Sequence, residues 1–224
     1  MRYLGGMSNI LKYLFNCVLE VVYPRKYECL YCGETIEEGV LCKKCINTSS
    51  DVEGEYQIKN IKVYSCKYYS TAFRKIVSEY KTFKNFEVGD YFIELLVDKI
   101  KKENIEFDYI SFVPSSNKTI KKRKFDHMKY LADGVAKILE KDVVNILLKN
   151  NDIKEQKRLN ASEREKNMKV AFEVCKNIDF ISGKRVLFID DVLTTGATLR
   201  ICKEIVEKTH KIDIILLTVL KSSI

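Results

Sequence analysis

The chain has no apolar run long enough to cross a membrane. With 2 prolines and 9 glycines in 224 residues, it also has no low-complexity tract and no internal repeat, so a packed globular core is the expected class. The apolar stretch near the start, ILKYLFNCVLEVVYP, is interrupted by Lys12, Asn16 and Glu20. Its apolar residues Ile10, Leu11, Leu14, Phe15, Val18 and Leu19 fall at helical spacing, which predicts an amphipathic helix packed on the rest of the protein. A membrane-surface role is the alternative, disfavoured by Glu20 and by the few basic residues on the polar side. No small-residue cleavage site of a signal peptide follows, and a cytoplasmic location is expected.

What is present bounds the size of the core. A chain that is 46% hydrophobic over 224 residues can bury one full α/β core and spare residues for a small appendage. Its 39 basic against 31 acidic residues, net +8, favour anionic partners such as phosphates or nucleic acid. Much of the lysine is scattered along predicted helices, where it marks a solvated face.

Of the 8 cysteines, four stand in CLYCGETIEEGVLCKKC as Cys29, Cys32, Cys42 and Cys45, spaced C-x2-C-x9-C-x2-C. Two such pairs can grip one metal from two sides, and four thiolates saturate tetrahedral Zn²⁺, so the expected site is structural. Gly33 permits the turn that brings backbone N–H groups toward the sulfurs. Disulfides or redox chemistry are the alternatives, disfavoured by the doubled pair in a chain expected to be cytoplasmic. Cys17, Cys66, Cys175 and Cys202 are spread through apolar surroundings as small core residues.

Residues 1–55 therefore read as amphipathic helix plus four-cysteine module, closing in a polar linker, NTSSDVEGEY. Residues 56–224 read as the main domain. There IKNIKVYSCKYYS predicts one or two strands, and helices are predicted over 72–83, 88–102 and 127–139. YISFVP, VVNILL, VAFEV, RVLFIDD and IDIILLTVL predict further strands, with a helix from Leu199 between the last two. Strands alternating with helices argue for a mainly parallel sheet flanked by helices.

The stretch VLFIDDVLTTGATL carries the chemistry. Val186, Leu187, Phe188 and Ile189 form a continuous apolar run, the habit of a parallel strand buried on both faces. Asp190 and Asp191 follow, then Thr194, Thr195, Gly196, Ala197 and Thr198, and then a helix. Ligands of open parallel sheets bind at the carboxyl ends of the strands. Gly196 allows the turn, and the unpartnered N–H groups of the helix's first turn favour an anion. The two acids need hydroxyls or a bridging cation beside that anion: carboxylates accept from vicinal diols and hold Mg²⁺ through ligand oxygens and water. A sugar phosphate satisfies both demands. This order of strand, acid pair, TTG and helix resembles the 5-phosphoribosyl-1-diphosphate (PRPP) motif of type I phosphoribosyltransferases. The resemblance implies that fold, with Asp190 and Asp191 on the ribose hydroxyls, residues 194–198 around the 5-phosphate, and Mg²⁺ accompanying PRPP.

Two more loops bear on it. SSNKTIKKRKF, after the 109–113 strand, is expected as a basic loop in which Ser115 and Ser116 with their backbone amides hold diphosphate oxygens and Lys118, Lys121, Lys122, Arg123 and Lys124 supply charge. A merely solvated basic loop is the alternative. His127 is expected as a surface or capping residue. QKRLNASEREKN, residues 156–167, suits a loop closing over a ligand, with Lys157, Arg158 and Arg164 reaching a diphosphate. The alternative there is an exposed helical turn over 161–166.

Taken with the cysteine module, YYSTAFRKIVSEYKTF, the Val-Pro loop, QKRLNASEREKNMKVAF and DDVLTTGAT, the chain resembles the ComF family of competence proteins over nearly its whole length. The family reads Arg-Gly-Phe-Asn-Gln where this chain has Arg123-Lys124-Phe125-Asp126-His127, so roles at Asp126 and His127 are not carried over. The resemblance implies PRPP and Mg²⁺ binding, single-stranded DNA and other competence proteins as partners, and a role in DNA uptake, with Lys121, Lys122 and Arg123 meeting nucleic acid. Two alternatives stay open: a nucleobase salvage transferase and a non-catalytic PRPP-sensing regulator. Purine salvage enzymes of this fold place an acid just before the Thr-Gly pair, where this chain has Thr194.

Overall fold

The computed structural model describes residues 27–58, 61–149 and 171–222. The amphipathic helix expected over residues 10–19 and the loop expected over 156–167, with Arg164, lie outside the described residues.

Two short strands, β1 (Tyr27–Glu28) and β2 (Thr35–Ile36), pair antiparallel ahead of a single helical turn, α1 (Lys43–Ile46). A second pair, β3 (Tyr56–Ile58) and β4 (Ile61–Tyr68), opens the main sheet as an antiparallel hairpin. Then come α2 (Thr71–Phe83), α3 (Phe86–Lys102), β5 (Tyr109–Phe112), α4 (Asn117–Arg123), α5 (His127–Leu139) and β6 (Asp142–Val143). The chain continues with β7 (Leu147–Lys149), β8 (Phe172–Val174), β9 (Arg185–Leu193), α6 (Ala197–Thr209) and β10 (Asp213–Lys221).

The six-stranded sheet runs β3-β4-β10-β9-β5-β6, and every pairing except β3 with β4 is parallel. The expected α/β architecture, a mainly parallel sheet flanked by helices with a four-cysteine cluster at the N-terminal side, is therefore the architecture found. Val186 to Ile189 lie between β10 and β5 and are essentially fully buried. An uninterrupted apolar run is what a strand covered on both faces requires.

The two faces carry separate cores. One gathers Phe73, Ile76 and Tyr80 of α2, Phe92 and Leu96 of α3, and Leu131 and Val135 of α5 over Leu187, Ile189 and Leu217. The other sets Leu199, Ile201, Cys202 and Val206 of α6, with Ile146 and Phe172, against Val186, Phe188 and Leu216. Cys29, Cys42 and Cys45 belong to the first core, so the cysteine module packs on α2. Polar contacts tie the same contact: Thr48 Oγ1 lies 3.0 Å from Ser70 Oγ and Tyr31 Oη 3.2 Å from Thr71 Oγ1.

Helix limits follow their caps. Ser70 accepts from Phe73 N, Asn85 from Glu87 N and Val88 N, and Asp126 from Met128 N and Lys129 N, each satisfying amides that the first helical turn leaves open. Lys84 takes the left-handed conformation (φ 56°) directly before the Asn85 cap, which turns α2 sharply into α3.

Two expectations are corrected. The basic segment after β5 is the helix α4 rather than a loop, because the Ser116 side chain caps Thr119 N and Lys124 closes the far end at φ 53°. VVNILL divides between β6 of the main sheet and β7, which pairs antiparallel with β8. A short apolar run does not tell a strand which sheet it joins.

Candidate functional site

The carboxyl ends of β4, β10, β9 and β5 lie side by side, and those of β9 and β5 carry or precede the residues singled out from the sequence. Asp190 and Asp191 are the sixth and seventh residues of β9, in register with β10 through Thr218↔Asp190. Alternation along the strand separates them. Asp191 turns toward α2 and α5, while Asp190 lies on the face covered by α6.

Asp191 is 7% exposed and heavily engaged. Its Oδ2 lies 2.5 Å from Lys81 Nζ and 3.1 Å from His127 Nε2. Burial opposes its ionisation, but the His127 hydrogen bond and the Lys81 charge outweigh that cost and hold the carboxyl well below the usual carboxylate range. Asp190 remains partly exposed, and its Oδ1 accepts from Asp191 N at 2.9 Å. Burial of its carboxyl, reinforced by the neighbouring Asp191 charge, pushes its pKa up to about 7. Two adjacent acids are thus driven apart, one firmly ionised and one titrating near neutrality, an asymmetry found where carboxylates meet ligands.

On the Asp190 face, hydroxyls run across the sheet: Tyr56 Oη to Ser65 Oγ is 2.6 Å, and Ser65 Oγ to Thr218 Oγ1 is 2.6 Å. Thr218 brings that row beside Asp190. Lys149, at the end of β7, adds positive charge from the same side.

The loop after β9 leads directly into α6. Thr194 and Thr195 are exposed, Gly196 sits at φ 69°, and α6 begins at Ala197 with Thr198 in its first turn. A Cβ on Gly196 would approach Ile58 to 3.2 Å in a left-handed conformation that side chains resist, so both space and backbone select glycine here. Among the described residues, Ala197 N has only a long contact, 3.4 Å to Thr195 Oγ1, and no acceptor meets Gly196 N or Thr198 N. These amides are open to an anion.

After β5, Ser116 is committed as the α4 cap, with Oγ 2.8 Å from Thr119 Oγ1, and Ser115 stays half-buried beside it. Arg123 closes α4 and reaches inward, Nη1 lying 3.1 Å from His127 Nδ1. Lys121 and Lys122 remain exposed on α4. His127, expected at the surface or as a cap, is instead buried. Asp126 is the cap, and His127 turns under Tyr80, whose hydroxyl donates to the His127 carbonyl at 2.5 Å.

Sequence reasoning missed Lys81, His127 and Lys149 as site residues. Lys81 follows Tyr80, the last residue of the buried face of α2, and so emerges beside the sheet rather than on the solvated side. That adjacency is the signal that could have found it.

The cysteine cluster is a separate site. Cys29, Cys32, Cys42 and Cys45 place their sulfurs within 4.8 Å of one another, and Cys32 Sγ to Cys42 Sγ is 3.7 Å. Four thiolates at about 2.3 Å around one Zn²⁺ have sulfurs about 3.8 Å apart, so these residues fit a tetrahedral ion. Burial opposes the thiolate at Cys29, but backbone N–H groups of Cys32, Cys42 and Tyr31 bring its pKa down to about 6.

No protein-family model matches the chain. Over 112 residues, 50% of its length, it is 30% identical to the transcriptional regulator GfcR of Methanocaldococcus jannaschii, of which it spans 43%. Similar solved structures include an allosteric regulatory enzyme of purine biosynthesis, with TM-score 0.43, 17% identity, and coverage of 62% of this chain and 29% of that one. They also include the adenine phosphoribosyltransferase of Thermoanaerobacter pseudethanolicus, with TM-score 0.41, 17% identity, and coverage of 62% and 83%. The Leishmania donovani adenine phosphoribosyltransferase gives TM-score 0.41 and 14% identity over 64% and 68%. The chain thus spans less than half of the curated relative it matches, and likenesses at these scores carry no functional argument. Among the described residues no helix is long and apolar enough to cross a membrane.

Proposed function

We propose that the chain binds PRPP with Mg²⁺ at the carboxyl end of β9, in the manner of the ComF-like proteins that its sequence resembles. One observation carries this reading. A partly exposed Asp190, set for hydroxyls or for a hydrated cation, stands near the carboxyl end of β9, and the loop that follows turns at a left-handed Gly196 that leaves helix N-terminal amides open for a phosphate. Asp191, Thr194, Thr195, Gly196, Ala197 and Thr198 complete the binding loop, and Ser115, Ser116 and Arg123 border its diphosphate side. Mg²⁺ would be held through Asp190 and the ligand's own oxygens. The four cysteines hold structural Zn²⁺.

The finer role is handling of single-stranded DNA during uptake, with other competence proteins as partners. Its support is the surface of α4. Lys121 and Lys122 stand exposed there, and Phe125, just beyond α4, packs its ring 5.2 Å from that of Phe86 of α3, which is 46% exposed. Exposed cations suit phosphates, and an exposed aromatic ring suits unstacked bases. The likeness to a transcriptional regulator supports a second reading, in which bound PRPP acts as a signal without turnover. Thr194 stands where a salvage enzyme carries its acid, so nucleobase transfer is the weakest of the three.

Calorimetric titration of PRPP with Mg²⁺, repeated with single-stranded DNA present, tests the reading. Saturable Mg²⁺-dependent binding is expected, and DNA affinity should fall steeply with salt. An absence of PRPP binding would reject the proposal. Diphosphate release with any of the common nucleobases would move the assignment to salvage.

A further inference from the structure

Nothing in the ligand-binding reading requires a histidine, yet His127 is held from three sides. Its ring donates to or accepts from Asp191 at Nε2 (3.1 Å) and Arg123 at Nδ1 (3.1 Å), and its carbonyl accepts from Tyr80. The chemistry of the partners settles the direction of each bond. A guanidinium has donors and no acceptor, so Nδ1 must accept from Arg123. The ring proton therefore sits on Nε2 and is given to the ionised Asp191. That single tautomer links an anion deep in the sheet to a cation at the end of α4.

Resting on the PRPP reading, we propose that His127 is the positioning residue of the site: it fixes the Arg123 guanidinium at the mouth of the β5 loop for the ligand's phosphate oxygens. Asp191, engaged at Oδ2 by Lys81 and His127, anchors this chain of contacts, and Asp190 and the other Asp191 oxygen face the ligand. Arg123 spends one edge of its planar fork on His127, and its other N–H groups have no partner among the described residues. A fork held at one edge is pre-organised, so less rotamer entropy is lost when it grips a phosphate.

The requirement is for one side chain that donates and accepts at once, which separates this role from simple packing. Glutamine meets it and leucine does not. We expect H127L to weaken Mg²⁺-PRPP binding by about tenfold or more, the loss of a charge-linked hydrogen bond, while H127Q stays within about threefold of wild type. R123A should weaken binding comparably to H127L, and adding R123A to H127L should cost no more than about twofold further. In the ligand-free protein, long-range ¹⁵N spectra of the imidazole should show the proton on Nε2, and the chain's 2 histidines make the assignment direct. Additive losses in the double variant, H127L binding like wild type, or a proton on Nδ1 would each overturn the proposal. The tautomer measurement needs no variant and so decides even where H127L fails to fold. Should the wild-type protein bind no PRPP, the functional reading fails, and the spectra still decide whether His127 holds Arg123.

Discussion

Replacing Asp190 by asparagine should make the folded chain more stable at neutral pH while removing PRPP binding. Asparagine keeps the shape of the side chain and the Oδ1 that accepts from Asp191 N, so only the charge changes. The wild-type carboxyl titrates at about 7 in the folded chain against an ordinary 3.8, because burial and then the Asp191 charge disfavour its ionised form. A carboxyl raised in this way binds its proton more tightly in the folded state than in the unfolded one. Its contribution to stability is therefore intact below about pH 4, declines as the pH climbs, and is gone above about pH 7. The gap corresponds to an upper bound of ~4 kcal/mol. Partial exposure lets water screen the charge, so we expect about 1–3 kcal/mol. Urea unfolding at pH 4 and pH 8 reads the effect directly. The variant should match wild type at pH 4 and gain a midpoint of about 0.5–1 M urea at pH 8. Equal midpoints at pH 8, or a variant less stable than wild type there, would refute the assignment of Asp190 as a strained, ligand-facing acid.

Lys81→Met strips the cation from Asp191, whose side chain is 10% exposed, and should cost about 2–4 kcal/mol at pH 7 by chemical denaturation. Because the Asp191 pKa is depressed, that contribution is present above the ordinary carboxylate value and lost as the pH falls through the folded one, so the cost of Lys81→Met should shrink in acid. Chelation of the metal should remove one Zn²⁺ per chain and lower the melting temperature by at least ~10 °C, with hydrogen-exchange protection lost at the start of α2, where Thr48 and Tyr31 meet Ser70 and Thr71. Gly134→Ala drives a Cβ into the Ile93 side chain at the contact of α3 and α5, and should destabilise by about 1–3 kcal/mol in the same assay.

Local signals were legible in the sequence where one element carried them alone. Helical periodicity placed α5 at its observed limits and α2 and α3 to within two residues, and the uninterrupted Val186–Ile189 run marked a doubly covered strand. The same stretch announced the acid pair and the glycine turn. What sequence left hidden depends on elements meeting. The partners of Asp191 come from α2 and α5, and His127 lies 64 residues away from it. No spacing rule connects a buried histidine to a distant carboxylate; only the sheet order, with β9 next to β5, does so. The basic segment after β5 escapes sequence pattern for a related reason. Its lysines suggested a solvated loop, while the Ser116 cap and the left-handed Lys124 that make it a helix are single-residue signals at its ends. The division of VVNILL between two sheets has no counterpart in hydrophobic pattern at all, because register and partner choice are tertiary properties.

Amide chemical-shift mapping with PRPP and Mg²⁺ tests the central claim most directly. The account predicts the largest Mg²⁺-dependent shifts at Thr195, Gly196, Ala197 and Thr198, with smaller ones at Asp190 and Asp191. Shifts confined to other surfaces, or none at saturating ligand, would contradict it.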